Sequence, residues 1–216
     1  MARGTRTKDE MVRAAQSIVT TRGLARLTFD AVAAQVGVSK QAVIYWFPTK
    51  IDLVREIILP ELRAETQLLV DAVADATSAP DAVARFVRAC VGLHLQRLDL
   101  FRLKYLAAQL DPDGAREPGP QFMRECNVET SRMYGALADK LAADPTFRVE
   151  LGARQTAVAI HMACLGFATM FGLADAIGDP MKHGIPVLVD TLVRAFNGVT
   201  VAAPARSRRR LRPATS

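Results

Sequence analysis

Cysteine, tryptophan and tyrosine are scarce in this chain of 216 residues, which has three Cys, one Trp and three Tyr. The cysteines, Cys90, Cys126 and Cys164, are odd in number and lie far apart in apolar sequence. That arrangement argues against the disulfide framework of a small secreted protein and favours free thiols in a reducing compartment. Alternating runs of β-branched residues are also missing, whereas Ala and Leu are abundant, so we predict an all-α protein.

Motifs that would indicate an enzyme are absent as well. The sequence contains no nucleophile elbow, no phosphate-binding loop and no dinucleotide glycine motif, and its three histidines are isolated from one another. Without such a motif or an obvious acid–base pair, we do not expect an enzyme. The amino terminus is polar and charged, with no apolar stretch after it, so we expect no signal peptide and a cytoplasmic protein.

One long uncharged segment resembles a membrane span in length. Residues 156–174 contain no Asp, Glu, Lys or Arg and approach the roughly 20 apolar residues that cross a bilayer. One histidine, two threonines and two glycines dilute the segment, and no cluster of positive residues flanks either end. We therefore predict a helix buried on both sides and no membrane partner.

Charge is distributed unevenly along the chain. Residues 1–55 carry nine basic and four acidic side chains, a net charge of +5, whereas residues 56–199 carry a net charge of −4. The tail over 200–216, which we expect to be disordered, has no acid and five arginines: Arg206, Arg208, Arg209, Arg210 and Arg212. A basic amino-terminal part on an acidic body is typical of a domain that binds nucleic-acid phosphates, although an anionic membrane would suit the same charge.

Helix caps and glycines divide the basic segment into short helices. An apolar stripe predicts a first helix over 7–22, ended by Gly23. Thr28 is positioned to cap a second helix and Ser39 a third. Gly37 lies between them, where the chain must reverse within about four residues and needs a backbone conformation that glycine tolerates best. Two short helices joined by so tight a turn predict a helix-turn-helix unit.

The third helix is predicted to have one apolar and one polar side. Val43 and Phe47 are four residues apart and should bury against the first two helices. The opposite side presents a cation, an amide, an aliphatic and an aromatic group, a mixture suited to base edges in the major groove of double-stranded DNA. We expect base contacts from Lys40, Gln41, Ala42, Ile44 and Tyr45. Backbone N–H groups at helix starts favour phosphate, so we expect phosphate contacts at Thr28, Ser39 and Lys50.

Each of these assignments has a purely structural alternative. Thr28 and Ser39 cap their helices whether or not they touch DNA. Lys40 and Gln41 suit a solvated helix face, and Trp46 suits a core position equally well.

This segment resembles the DNA-binding domain of the TetR family of bacterial repressors. It reads Gly37-Val-Ser-Lys40 at the turn and Trp46-Phe-Pro-Thr-Lys50 after the recognition helix, and the resemblance covers residues 7–55. The family usually has a phosphate-binding tyrosine where this chain has Ile44, so we assign that contact to Tyr45, with Trp46 beside it. The resemblance implies a homodimer that binds a palindromic operator and that a small-molecule effector releases.

The rest of the chain is predicted to be helical, with breaks at prolines and glycines. Helices are expected over 49–76, with a kink at Pro60, and over 80–97, 99–109, 121–143, 152–177 and 184–197, with Asp99 as a cap. Residues 111–120 contain three prolines and two glycines and are predicted to form a loop. We divide the chain into a helix-turn-helix domain (1–55), a helical effector-binding and dimerisation domain (56–199) and the basic tail (200–216).

The larger domain offers candidates for an effector pocket and a dimer interface. Aromatic, sulfur-containing and histidine side chains are the pocket candidates: Phe86, Cys90, His94, Phe101, Tyr105, Met123, Cys126, Met133, Tyr134, His161, Cys164, Phe167 and Phe171. So much Met, Phe and Cys favours a largely apolar effector. Small residues and an apolar repeat on the last two helices are the dimer candidates: Ala159, Ala163, Gly166, Leu188, Leu192 and Phe196. The alternative for both sets is an ordinary monomer core.

Two Cys/His pairs are also spaced for metal binding. Cys90 with His94 and His161 with Cys164 would offer zinc two thiolates and two imidazoles if their helices faced each other. Single Cys and His residues on apolar helix faces are more often core, so we expect no metal and no other cofactor. Two other functions remain open: a non-specific nucleoid-type DNA binder, aided by the arginine tail, and an activator in place of a repressor.

Overall fold

A computed structural model describes residues 2–110, 120–147, 152–178 and 183–200 of the chain. In these ranges it contains nine α-helices and no β-strand, which confirms the predicted all-α class. The helices are α1 (Ala2–Arg22), α2 (Phe29–Val36), α3 (Lys40–Trp46), α4 (Lys50–Ala74), α5 (Ala79–Gln96), α6 (Leu98–Leu110), α7 (Pro120–Ala143), α8 (Ala153–Ala176) and α9 (Ile185–Thr200). The predicted loop up to residue 119 and the tail after residue 200 lie outside the described residues.

Short side chains cap the helices of the amino-terminal part. The Thr28 hydroxyl accepts a hydrogen bond from the Ala31 N–H at 3.1 Å, and the Ser39 hydroxyl accepts one from the Ala42 N–H at 3.2 Å. Thr49 forms a reciprocal capping box at the start of α4. Asp99 was expected to cap α6, but that helix begins at Leu98 and Asp99 lies within its first turn. The cap prediction is therefore wrong at this one position.

The head of the molecule, residues 2–57, has its own apolar core. The buried side chains come from α1 to α3, from the first turns of α4, and from α6: Met11, Ala15, Ile18, Val19, Leu27, Val32, Val43, Phe47, Leu53, Val54, Ile57, Leu100 and Leu103. α4 runs without interruption across the domain boundary proposed at residue 55. The head therefore rests on α4 and α6, and both helices continue into the larger body.

The body is built around α5, which packs against α4, α7, α8 and α9. Its core joins residues of all five helices, among them Leu69, Phe86, Cys90, Met133, Leu137, Ile160, Cys164 and Val193. A central helix surrounded on all sides must be apolar over most of its circumference, which matches the eight buried positions in α5.

The uncharged segment forms α8 and is buried on one side only. By length and composition alone, Ala153–Ala174 could cross a membrane, but the same test is passed by core helices of soluble proteins. The expectation of a helix buried on both sides is wrong. Ala157, Ile160 and Cys164 pack into the body core, whereas Met162 and Met170 are 66% and 63% exposed. The helix is apolar all round because it has a second apolar face that this monomer leaves open.

Gly37 ends α2 in a left-handed conformation, with φ at +77°. A Cβ at this position would meet no atom within 4 Å, so the cost of Gly37→Ala is set by the backbone alone. We expect the free energy of unfolding to fall by roughly 1–2 kcal/mol. Gly135 is a matched control inside α7, again with open space for a Cβ, and Gly135→Ala should raise stability by about 0.5–1 kcal/mol. Urea unfolding of both variants tests the pair, and equal effects would contradict it.

Candidate functional site

The recognition helix α3 separates its residues as its spacing predicted. Val43 and Phe47 are buried in the head core. Lys40 and Gln41 are exposed, Ala42 is half-buried, and Ile44 and Tyr45 are 36% and 78% exposed. The helix therefore presents one continuous outward surface of mixed chemistry, held in place by a rigid apolar inner face.

Trp46 belongs partly to the head core and partly to this surface. Its side chain is half-buried against the core, and the Tyr45 ring lies edge-on to it, with ring centroids 5.4 Å apart and planes at 85°. Edge-to-face pairs of this kind add about 0.5–1.5 kcal/mol beyond area burial. Trp46 thus holds the most exposed aromatic ring of α3 in a defined direction.

Lys40 makes an ion pair that the sequence analysis missed. Its Nζ lies 2.9 Å from Asp30 Oδ2, in the first turn of α2, across the helix-turn-helix. Both side chains are largely exposed, so the pair adds little to stability. It instead fixes where the lysine points. Opposite charges at the two starts of consecutive short helices were the available signal.

The helix starts near α3 place polar groups around its outward surface. Thr28 and Ser39 are exposed and use their oxygens as acceptors, which leaves each hydroxyl hydrogen able to donate outward. Lys50 is exposed at the start of α4. These three positions lie at helix amino termini, where the dipole favours an anion.

A second concentration of polar groups lies in the body core. Glu65, on α4, is fully buried and accepts a hydrogen bond from the Tyr105 hydroxyl at 2.8 Å and an ion pair from Lys104. His94 Nε2 and His161 Nε2 each lie 3.3 Å from Glu65 Oε1. We call these residues, together with the adjoining Cys90, the Glu65 cluster: Glu65, Cys90, His94, Lys104, Tyr105 and His161.

The charge state of Glu65 follows from its neighbours. Burial raises the pKa of this carboxyl, but contacts with His161 and His94 and the positive charge of Lys104 outweigh burial and hold the pKa well below its usual range. The Tyr105 pKa is raised, first by burial and then by the Glu65 charge. The cluster therefore contains an ionised carboxylate and a neutral phenol.

The predicted pocket residues fall into two groups. Six rings lie next to one another at the centre of the body: Phe86, His94, Phe101, Tyr105, Tyr134 and His161. Met133, Cys90 and Cys164 are buried in the same core. Phe167 and Phe171 stack on each other along α8, at 6.2 Å. On α7, Cys126 is half-buried and Met123 is largely exposed.

A small cavity of about 170 Å³ lies beside this ring cluster, between α4, α5 and α6. Only His94 and Phe101 of the predicted pocket residues line it. Its other walls are apolar at Leu68, Leu93 and Leu100 and charged at Glu61, Glu65, Arg97 and Lys104. The sequence analysis missed the charged residues because each is paired across helices, as in the Glu61–Arg97 ion pair at 2.9 Å.

Comparison with known proteins identifies the head. Residues 7–57 match the family model for bacterial regulatory proteins of the tetR family. Among curated proteins, none matches the sequence.

Solved structures share the fold of the whole chain. A bacterial regulatory protein in the tetR family from Rhodococcus RHA1 aligns with a TM-score of 0.67 at 17% identity, over 92% of this chain and 99% of that one. A protein of unknown function from Rhodococcus sp. RHA1 aligns with a TM-score of 0.69 at 19% identity, over 90% and 95%. The transcriptional regulator FadR from Bacillus subtilis, in complex with stearoyl-CoA, aligns at 0.63 and 12% identity, over 87% and 96%.

The match over the head agrees with the resemblance found at the turn and recognition helix, and the fold match extends through the body. Through its DNA-binding head, the chain belongs to the TetR family of bacterial regulatory proteins.

Proposed function

We propose that this protein is a sequence-specific transcriptional repressor that binds a palindromic operator as a homodimer and leaves it when a small, largely apolar effector binds. The observation that carries the proposal is the outward surface of α3, where exposed Lys40, Gln41 and Tyr45 stand on a fully buried inner face. A rigid helix with such a surface suits direct reading of the major groove.

Within this proposal, bases are contacted by Lys40, Gln41, Ala42, Ile44 and Tyr45. Gln41 can pair with adenine through two hydrogen bonds, and Ile44 can pack on a thymine methyl. Lys40 must exchange its pairing with Asp30 for a guanine edge. Because that surface ion pair is weak, the exchange costs little.

Phosphates are contacted by Thr28, Ser39, Tyr45, Trp46 and Lys50. Thr28, Ser39 and Lys50 lie at helix starts, which suit an anion. Tyr45 is exposed enough to reach a phosphate, and Trp46 either adds its indole N–H or acts by holding the Tyr45 ring. These contacts fix the register of the head on the duplex, and base contacts select the sequence.

The open apolar face of α8 supports the homodimer. Its exposed positions recur every three or four residues, which places them in one stripe: Ala159, Met162, Gly166, Met170, Leu173 and Ile177. Ala159 and Gly166 are small enough to allow close helix approach, as predicted for this pair of helices. Ala163 and Leu188 are half-buried, while Leu192 and Phe196 pack on the core of their own monomer. We therefore centre the proposed interface on the α8 stripe, with α9 beside it through its exposed Val187.

The effector is proposed to enter at the cavity beside the ring cluster. Its present volume of about 170 Å³ is below the roughly 300 Å³ of a typical ligand pocket, so binding must push helices apart. Leu68, Leu93, Leu100 and Phe101 supply apolar walls for the effector. The ion pairs at the other end of the cavity suit a single polar group. FadR from Bacillus subtilis, which shares the fold, was solved with stearoyl-CoA, a largely apolar acyl chain with a polar end.

Selection of bound sequences from a random duplex pool tests the proposal, with wild type, Lys40→Ala and Gln41→Ala selected in parallel. We expect a palindromic consensus whose half-sites lose preference at one defined position in each variant, with a loss of about 1–3 kcal/mol per site. Asp30→Ala is the matched control, because it frees Lys40 and should leave the consensus unchanged. Binding without a consensus that vanishes as salt rises would instead establish a non-specific DNA binder.

A further inference from the structure

Four side chains that the DNA-binding surface does not use converge in the body core. One ligand atom from each of Glu65, Cys90, His94 and His161 lies within 4.8 Å of the other three, and all four residues are buried. We infer that these side chains form a binding site for a divalent transition-metal ion of the zinc class. The inference is independent of the proposed operator and effector, because it concerns metal binding alone.

The spacing of the ligand atoms matches a coordination site. His94 Nε2 and His161 Nε2 each lie 3.3 Å from Glu65 Oε1. Zinc bonds of about 2.0–2.1 Å in a tetrahedron require ligand atoms roughly 3.3–3.4 Å apart. Hydrogen bonds between a charged donor and a carboxylate are shorter, about 2.7–2.9 Å. Both distances therefore fit edges of a tetrahedron better than strong hydrogen bonds.

His94 supplies an independent observation. Its Nε2 atom is buried and, in the part of the chain that the structure describes, makes no hydrogen bond. The nearby Glu65 oxygen is within ion-pair distance, but the two groups lack hydrogen-bond geometry. Buried polar atoms are nearly always satisfied, and one that is aimed at a carboxylate, an imidazole and a thiol is explained by an ion bound among them.

Neighbouring groups orient the proposed ligands. The Tyr134 hydroxyl lies 3.1 Å from His161 Nδ1. If Nδ1–H donates to the Tyr134 oxygen, the lone pair of Nε2 points at the site, as in most metal-binding histidines. Tyr105 and Lys104 hold the Glu65 carboxylate in the same way. The ligands come from α4, α5 and α8, so an ion would join three helices.

The donor set selects the class of ion. One sulfur, two imidazole nitrogens and one carboxylate oxygen suit Zn²⁺ and its analogue Co²⁺, whereas Mg²⁺ and Ca²⁺ prefer oxygen alone. Binding converts the Cys90 thiol to a thiolate, and its proton leaves to solvent. The carboxylate and the thiolate then balance the charge of the ion. Lys104 opposes the ion, because it neutralises Glu65 in the metal-free protein.

Titration of the metal-free full-length chain with Co²⁺ tests the inference by optical absorption. We expect one Co²⁺ per chain, tetrahedral visible bands, and a thiolate-to-cobalt band that Zn²⁺ abolishes. Cys90→Ser should lose the thiolate band, and His94→Gln should weaken binding by about 100-fold or more. Cys126→Ser is the matched control, because Cys126 lies on α7 outside the cluster, and it should bind as wild type does.

Lys104→Met distinguishes a metal site from a merely structural polar cluster. Removing the competing cation should tighten Co²⁺ binding, and Zn²⁺ should restore the melting temperature that the variant loses. A structural cluster gains nothing from the metal in this variant. X-ray absorption of the zinc-loaded wild type reports the ligands without any substitution. Absence of a Co²⁺ band at saturating metal, or a zinc site with no sulfur ligand, would overturn the inference.

Discussion

Glu65→Gln is expected to lower the free energy of unfolding by about 3–5 kcal/mol, because it removes the only charge that balances a buried ammonium among the described residues. The Lys104 side chain is 6% exposed and the Glu65 side chain is fully buried. A neutral amide accepts one hydrogen bond from Lys104 but does not offset the cost of keeping its charge out of water. The Tyr105 hydroxyl and two imidazoles lose the same carboxylate partner.

Urea unfolding in the presence of a chelator measures this effect apart from any bound metal. Asp190→Asn is the control, because its ion pair with Arg88 is more than half exposed on both sides and its loss should cost no more than about 1 kcal/mol. The double variant Glu65→Leu/Lys104→Met should recover most of the stability, since removing both charges leaves none buried alone. A loss below about 1 kcal/mol for Glu65→Gln would contradict the burial and pairing described for Lys104.

Features set by neighbours along the chain could be predicted from the sequence. Thr28, Ser39 and Thr49 cap the helices that they were expected to cap, because a cap bonds a backbone group three residues away. Gly37 takes the left-handed conformation that the tight turn requires. The two faces of α3 followed from helical spacing alone. The DNA-binding surface could therefore be described before the structure was known.

Features that depend on distant partners could not be predicted. Glu65 was missed because its partners lie 29 to 96 positions away in the chain and nothing in a single sequence aligns them. Charged residues are rarely buried unless they are paired, so Glu65, Lys104 and Arg97 had no reason to be assigned to the interior. The faces of α8 were misjudged for a related reason. An all-apolar helix is equally consistent with two buried faces and with one buried face plus a surface awaiting a partner.

The position of α4 gives the proposed repressor a route from effector to operator. Its first turns contribute Leu53, Val54 and Ile57 to the head core, and its last turns contribute Leu69 and Val73 to the body. Between them, Glu61 is hydrogen-bonded to Gln16 of α1 and paired with Arg97 at the end of α5. An effector that widens the cavity against α4 therefore acts on the support of the head. Release requires that the effector bind the displaced arrangement more tightly than the DNA-binding one.

Met162→Glu is expected to convert the proposed dimer into monomers and to weaken operator binding by roughly 100- to 10,000-fold, because a monomer loses the avidity of two linked heads. Met162 is 66% exposed in the α8 stripe, so the glutamate does not disturb the monomer core, whereas two carboxylates would face each other across a two-fold interface. Sedimentation and operator titration at one fixed salt concentration measure both effects. Val128→Glu is the matched control, because Val128 is 63% exposed on α7, outside the stripe, and it should remain dimeric. A Met162→Glu protein that stays dimeric and binds its operator normally would place the interface on another surface.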